Sequence, residues 1–527
     1  MPAENKYLQE AVASIKKDEQ FRRKNARLYR ALEILPGLLV WGTIFGLVIL
    51  AFIKPAWVAI FMLIYVTAWL LRAIRFTSYL LRAYLPFIRS MNTKWQSIIE
   101  QDAQLLKQSK EVLHVILAAT YKEEYETLAR ALELLTKTTF PKDQIIFVLA
   151  TEGRDHENAS QIAGKLKEKY QGHFKDFIIT EHPDGIEGEV KGKGTNISWA
   201  GRIVRDYAKK HNYDFTKTLV TSIDADHRLH PEYLSALTYT FLKDKDAEKS
   251  SYVSVALFFN NVWDVPSPVR FIHFSSTFWM MTTSVWTSRL HNVMTQTQTL
   301  NALVKTDFYS PSSIVEDGQQ YWRSLFQFGP DYTVKMVLMP VFSDAVLTEG
   351  FFDTLKEQYL QRRRWHYGVS DFPYAMTHFL TEKKNRNPRV FVDILRHVEG
   401  HYSLATSSVL LGIIGWLPIL LTDITQSVIG LNFHLYYSLA LRFALVGLLL
   451  SAILSILLIP PKKENKKWSK LYILWDYLLI PIQIPLSVIL AASVPSLDAH
   501  TRLMLGKELG FRVTKKAVST KTELTDR

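Results

Sequence analysis

The sequence predicts a mostly parallel α/β domain framed on both sides by membrane-spanning α-helices. Two apolar runs near the N-terminus and further runs after residue 400 predict the helices. Between them, from about 111 to 400, short apolar stretches alternate with polar helical patterns. That alternation predicts strands joined by helices, and hence a parallel sheet. Acidic motifs also fall directly after strand candidates, at the carboxyl ends where such sheets bind ligands.

The segment 1–34 is polar and basic, and too long for the charged start of a secretory signal. Apolar runs from Leu35 to Ile53 and from Pro55 to Leu71 follow, broken at Lys54-Pro55. Each approaches the roughly 20 residues that cross about 30 Å of hydrocarbon. Both are apolar all round, so 35–72 is expected to form a transmembrane hairpin. Lys16, Lys17, Arg22, Arg23, Lys24, Arg27 and Arg30 precede it, and Arg72, Arg75, Arg82 and Arg89 follow. Basic flanks on both sides place both in the cytoplasm.

Residues 73–110 read as a basic amphipathic connector. The α/β domain is expected over 111–350, with strands at Val112 to Ala118, Ile145 to Ala150, Phe177 to Thr180, Thr218 to Ile223, Tyr252 to Phe259 and Val334 to Leu338. Interfacial amphipathic helices are expected over 351–400, membrane helices over 401–495 and a basic tail over 496–527. The membrane runs are Leu404 to Leu421, Tyr436 to Leu458 and Leu471 to Val494, the last broken by Pro481 and Pro485. The lysines 462, 463, 466, 467 and 470 belong on the cytoplasmic side. A single crossing by the last run would put Arg502 to Lys516 outside, so a proline-broken re-entrant hairpin is expected there. Arg442, inside an apolar run, either lines a polar path or snorkels to a headgroup.

A chain of 527 residues exceeds what one core ordinarily uses, so two or more units are expected. Hydrophobic residues at 48% and charged residues at 21% fit a polar domain fused to membrane segments. The absence of cysteine excludes disulfides and thiolate metal sites. A net charge of +13 is met most simply by anionic lipid headgroups. Nucleic acid is not an expected partner: the basic residues cluster at membrane boundaries and no recognised module is present.

Four motifs carry chemistry. Asp224-Ala225-Asp226 ends a strand, and two carboxylates so placed suit a hard cation, Mg²⁺ or Mn²⁺, shared with phosphate oxygens. Glu316-Asp317 opens a helical pattern; it is either a dipole-complementing first turn or a general base. In the helical stretch Gln361-Arg362-Arg363-Arg364-Trp365, Arg364 suits a leaving diphosphate and Trp365 a stacked sugar ring. The loop Lys191 to Asn196 enters a helical pattern at Ile197 and suits phosphates, although it lacks a Walker A spacing.

Together, over roughly 110 to 370, these motifs resemble family 2 inverting glycosyltransferases of GT-A fold, in the membrane-embedded branch of cellulose, hyaluronan and chitin synthases. The resemblance implies a nucleoside-diphosphate sugar donor, a divalent metal, and a glycan or lipid-linked acceptor at the membrane lipids. Thr120 and Glu123, within Ala119 to Glu123, are similar to the first nucleotide-contact loop. Glu152 stands where the family often has aspartate. Lys191 and Asn196 fall in an element similar to K-A-x-A-L-N. Asp224 and Asp226 match D-x-D and are the implied metal ligands, Asp226 foremost, with Asp224 also a donor contact. Glu316-Asp317 matches T-E-D with Val315 in place of threonine, which implies Asp317 as the base. Gln361, Arg364 and Trp365 match Q-x-x-R-W. The tail from Gly510 to Lys516 is similar to a cytosolic element of that branch, whereas no F-F-x-G-T motif lies between Asp226 and Glu316. The expected protein is thus a multi-pass enzyme of the cell membrane, with its catalytic domain in the cytoplasm, that extends a polysaccharide or glycan. Single-sugar transfer to a lipid carrier is the alternative. A non-catalytic scaffold or transporter is a second, opposed by the intact Asp224, Asp226, Asp317 and Arg364.

Overall fold

The computed structural model describes residues 2–421, 428–462 and 471–510. Most of the lysine-rich loop (463–470) and the tail from 511 onward, both carrying sequence expectations, lie outside the described residues.

Eight strands form one sheet in the order β3-β2-β1-β4-β7-β6-β8-β5. The six expected strands are β1 (Leu113–Ala119), β2 (Ile145–Glu152), β3 (Asp176–His182), β4 (Thr218–Asp224), β6 (Ser250–Leu257) and β8 (Thr333–Phe342). Two more were not anticipated: β5 (Arg228–Leu229) and β7 (Gln296–Thr299). Four of the seven pairings are parallel; β7 runs antiparallel to both β4 and β6, and β5 antiparallel to β8. The fold is therefore a GT-A-like α/β arrangement with a mixed, mostly parallel sheet.

Strand alternation divides β1 between two cores. Leu113, Val115 and Leu117 pack with Val204 and Ala208 of helix Lys193–Lys210, while Ile116 and Ala118 pack with Leu128 and Leu132 of helix Tyr125–Leu135. The unanticipated β7 reads Gln-Thr-Gln-Thr and is fully buried. Its polar side chains are all engaged. Thr297 meets Thr221 at 2.9 Å, Gln298 donates to Ser324 at 3.0 Å, and Gln320 donates to Gln298 at 2.9 Å.

Helices Ala26–Ile53 and Pro55–Met91 meet at Lys54, with Pro55 in the first turn of the second, where it needs no N–H partner. The second helix runs on into the expected connector as far as Met91, and two short helices, Trp95–Gln101 and Ala103–Ser109, complete it. Leu80, Ala83, Tyr84 and Phe87, at helical spacing, are buried against Val255 and Leu257 of β6 and Phe274 and Phe278 of helix Ser267–Thr283. The connector is thus docked on the sheet domain. Among the described residues, three segments are long and apolar enough to cross a membrane: Ala26–Ile53, Pro55–Met91 and Pro388–Leu421. Glu399 on the third accepts from Arg72 and from Arg289, joining the second helix and the α/β domain at one carboxylate. Helix Val428–Leu458 covers the expected run from Tyr436 and leaves Arg442 exposed. The proline-broken run is divided into helices Tyr472–Leu478 and Ile480–Ala491, followed by Ser493–Met504.

Candidate active site

The parallel register aligns the strand ends. Ala119 of β1 pairs with Ala150 of β2 on one side and with Asp224 of β4 on the other. The Ala150 carbonyl receives the backbone N–H of Thr120 at 2.9 Å and the Asn196 amide at 2.9 Å. Thr120 and Asn196 therefore tie the β1 loop and the start of helix Lys193–Lys210 to β2. Glu123 lies half-buried in the β1 loop. Glu152 is buried at the end of β2, where Arg154 donates to it twice, at 2.8 and 3.0 Å. Burial raises the Glu152 pKa more than Arg154 lowers it.

Asp224, Asp226 and His227 bring ligand atoms within 4.8 Å of one another, the one such group among the described residues. Two carboxylates and an imidazole fit a small divalent cation such as Mg²⁺ or Mn²⁺. Asp226 is anchored by the Asp344 N–H, which donates to Oδ2 at 2.7 Å. The Asp224 N–H donates to Nδ1 of His227 at 3.2 Å, and Nε2 lies 3.5 Å from Asp224 Oδ2.

The Gly-Lys loop divides its two lysines. Lys191 is exposed and pairs with Asp184 at 2.8 Å. Lys193 turns inward because the helix starts there, earlier than the expected Ile197. Its Nζ lies 2.6 Å from Asp224 Oδ1 and donates to the Met294 carbonyl at 3.2 Å. Burial alone would depress this ammonium, but Asp224, Asp317 and Glu316 together raise its pKa above the usual lysine value.

Glu316 and Asp317 open helix Glu316–Phe328, with Glu316 buried and Asp317 half-buried. Gln296 of β7 donates to Asp317 Oδ1 at 2.8 Å. Both carboxyls are pushed above the usual range. Burial is the main cause for each; Asp317 adds to it for Glu316, and Asp224 for Asp317, while Lys193 opposes it for both. Gly194 is where helix Lys193–Lys210 touches this pair: a Cβ there would lie 2.7 Å from Glu316 Cβ and 3.2 Å from the Ser310 carbonyl. Gly194→Ala is expected to displace Glu316-Asp317 and lower turnover by about ten- to a hundredfold. Steady-state rates beside the thermal midpoint of the solubilised variant check this; parental turnover would refute the close fit.

The arginines of helix Phe351–His366 point three ways. Arg362 is buried, donates to Ser276 at 2.7 Å and stacks 4.5 Å from the Trp365 ring centroid. Arg363 donates to Asp498 at 2.9 Å. Arg364 acts on the site, where its charge lowers the pKa of both Glu316 and Asp317. Gln361 is buried with no partner for Oε1, and Trp365 is half-buried against Phe258, Val265 and Ala345.

Reading the sequence did not single out Lys193, His227 or Gln296. His227 directly follows the carboxylate pair, so adjacency was an available signal. Lys193 depended on where the helix begins, and Gln296 on a strand with no apolar pattern.

The sequence family described as Glycosyl transferase family group 2 matches residues 219–486, just over half of the chain. No curated protein matches. Among solved structures, the chain is similar to the mannosyltransferase PcManGT from Pyrobaculum calidifontis in complex with GDP-Man and Mn²⁺. Identity is 14%, over 85% of this chain and 99% of that one, with a TM-score of 0.41. It is also similar to S. aureus TarS 1-349 in complex with UDP-GlcNAc, at 13% identity, over 63% of this chain and 91% of that one, with a TM-score of 0.30.

Proposed function

Since the chain belongs to glycosyl transferase family group 2, we propose that it is a membrane glycosyltransferase that extends a glycan from a nucleoside-diphosphate sugar, with inversion at the anomeric carbon. The observation that carries this reading is the Lys193 bridge. One buried ammonium joins Asp224 of the metal-type group to the Glu316-Asp317 pair, with Arg364 acting on the same pair.

Asp317 takes the proton of the acceptor hydroxyl on Oδ2, while Gln296 holds Oδ1 and fixes the carboxylate's orientation. The acceptor oxygen bonds to the anomeric carbon from the face opposite the donor's phosphate, and the bond to that phosphate breaks. Lys193 and Arg364 receive the charge that develops on the departing diphosphate. A divalent cation bound by Asp224, Asp226 and His227 supplies neutralisation of the same diphosphate. Glu123, Glu152 with Arg154, and Lys191 contact the nucleotide; Thr120 and Asn196 keep that loop in place through Ala150. Trp365, with Gln361, forms the acceptor platform. The three apolar helical segments hold this cleft at a membrane, with the catalytic domain on the cytoplasmic side.

The test is nucleoside-diphosphate release by the full-length solubilised protein across a panel of sugar nucleotides, with and without Mn²⁺. Metal-dependent release with one donor, and products longer than one added sugar, are expected. Single-addition products would move the reading to transfer onto a lipid carrier. No release with any donor, from folded protein given lipids and acceptor glycans, would overturn it.

A further inference from the structure

Helix Pro2–Lys24 reads in the sequence as a basic tail, yet it lies against the α/β domain along one stripe. Tyr7 meets Trp199 edge-on at 5.8 Å between ring centroids. Arg205 grips Glu10 with two nitrogens, at 2.9 and 3.0 Å. Ala11, Ser14 and Ile15 are buried. One turn further, Asp18 Oδ2 accepts from Ser312 Oγ at 2.6 Å and from Ser310 Oγ at 3.4 Å, and Oδ1 lies 3.9 Å from Arg323. The stripe repeats every three or four residues, so these contacts fall on one helix face.

Both surfaces under that face lead into the site. Trp199 and Arg205 belong to the helix that begins with Lys193. Ser310 and Ser312 lie in the segment that delivers Glu316 and Asp317, and Arg323 lies on the helix those carboxylates open. The two surfaces touch at Gly194, whose missing Cβ makes room for Glu316 and the Ser310 carbonyl. Ala11 and Ile15 are buried under the helix, and Phe21 stacks on His378 at 3.9 Å near its end. The contacts it makes to the base-bearing segment, through Asp18, are a charge pair and hydroxyl bonds, which are directional and individually weak. At Asn25 the same chain enters helix Ala26–Ile53.

We propose that helix Pro2–Lys24 is a strap that clamps the donor-side helix to the base-bearing segment, with Asp18 as its positioning residue for Asp317. Asp18 touches no substrate. It acts through Ser310, Ser312 and Arg323 on the angle at which the Glu316-Asp317 turn meets Lys193. The strap rests on the assignment of Asp317 as the base, and it ties the geometry of the cleft to the first apolar helix.

Asp18→Ala and Ser312→Ala in the full-length protein test it by two readouts. Hydrogen exchange of the backbone amides over 310–320 is expected to quicken in both variants. Turnover is expected to fall by about tenfold while the donor KM stays within about twofold, because a displaced base changes the reacting geometry and leaves donor contacts intact. Asp18→Glu, which keeps the acceptor charge, is expected to recover part of the lost turnover. Unchanged exchange, or a rise in KM with kcat preserved, would overturn the strap. If Asp18→Ala does not fold, Ser312→Ala removes one hydroxyl only and decides alone. Faster exchange in the variants of a parent that itself turns over no sugar nucleotide would remove the transferase reading and, with it, the positioning role of Asp18.

Discussion

Replacing Asp317 with asparagine is expected to lower kcat by about 10³-fold, within the 10²–10⁴ range for a general base. Asparagine keeps the shape and can still accept from Gln296, so the fold and donor binding should survive while proton acceptance is lost. The pH dependence follows from the site. Burial raises the Asp317 pKa, Lys193 and Gln296 oppose that, Asp224 adds to it, and the net direction is upward. The active form is the carboxylate, so turnover should be lost as pH falls through a value above the ordinary aspartate range. That limb should vanish from the variant. Stability runs the other way. The folded protein holds protons on Glu316 and Asp317 that the unfolded chain would release. Their contribution is present at low pH and declines as pH rises through the raised values. Above that window Asp317→Asn should be at least as stable as the parent. A loss of activity there would report chemistry, and near-normal turnover in the folded variant would refute the base assignment.

Asp226→Asn is expected to lower Mn²⁺-dependent turnover by about 10²–10³-fold. The asparagine carbonyl can still accept the Asp344 N–H, so the loop after β4 should hold its shape. What is lost is one negative charge in a group whose ligand atoms lie within 4.8 Å of one another. Electron paramagnetic resonance of Mn²⁺ titrated into the metal-stripped protein gives a readout independent of catalysis. The free-ion signal should be quenched by the parent and persist with the variant. Equal quenching by both would remove Asp226 from the metal site.

Much of the sheet was legible because β1, β2, β4 and β6 are apolar runs that end in turn-forming or charged residues. Burial on both faces leaves such strands little choice of composition. The edge on which Asp224 and Asp226 sit was legible for the same reason: a carboxylate directly after an apolar run must lie beyond a strand end. Three things could not be read. The strand β7 has no apolar alternation, because its interior contacts are amide and hydroxyl pairs. The inward lysine was Lys193, and the choice between it and Lys191 turns on a helix start four residues earlier than the pattern suggested. The docking of helix Pro2–Lys24 rests on Glu10 and Asp18, single carboxylates in a basic segment, whose partners lie far away in the chain.

The polar strand has a consequence for how finely the cleft is built. Methyl groups attract with little regard to angle, so an apolar strand can shift by a fraction of an ångström at small cost. The forked ends of Gln296, Gln298 and Gln320 have no such latitude, since a misaligned amide loses its bond and stays dry. Helix Glu316–Phe328 is thereby indexed against the sheet like a key against its wards. A greasier version of Gln296–Thr299 would hold the domain together as firmly, and it would let the carboxylate wander.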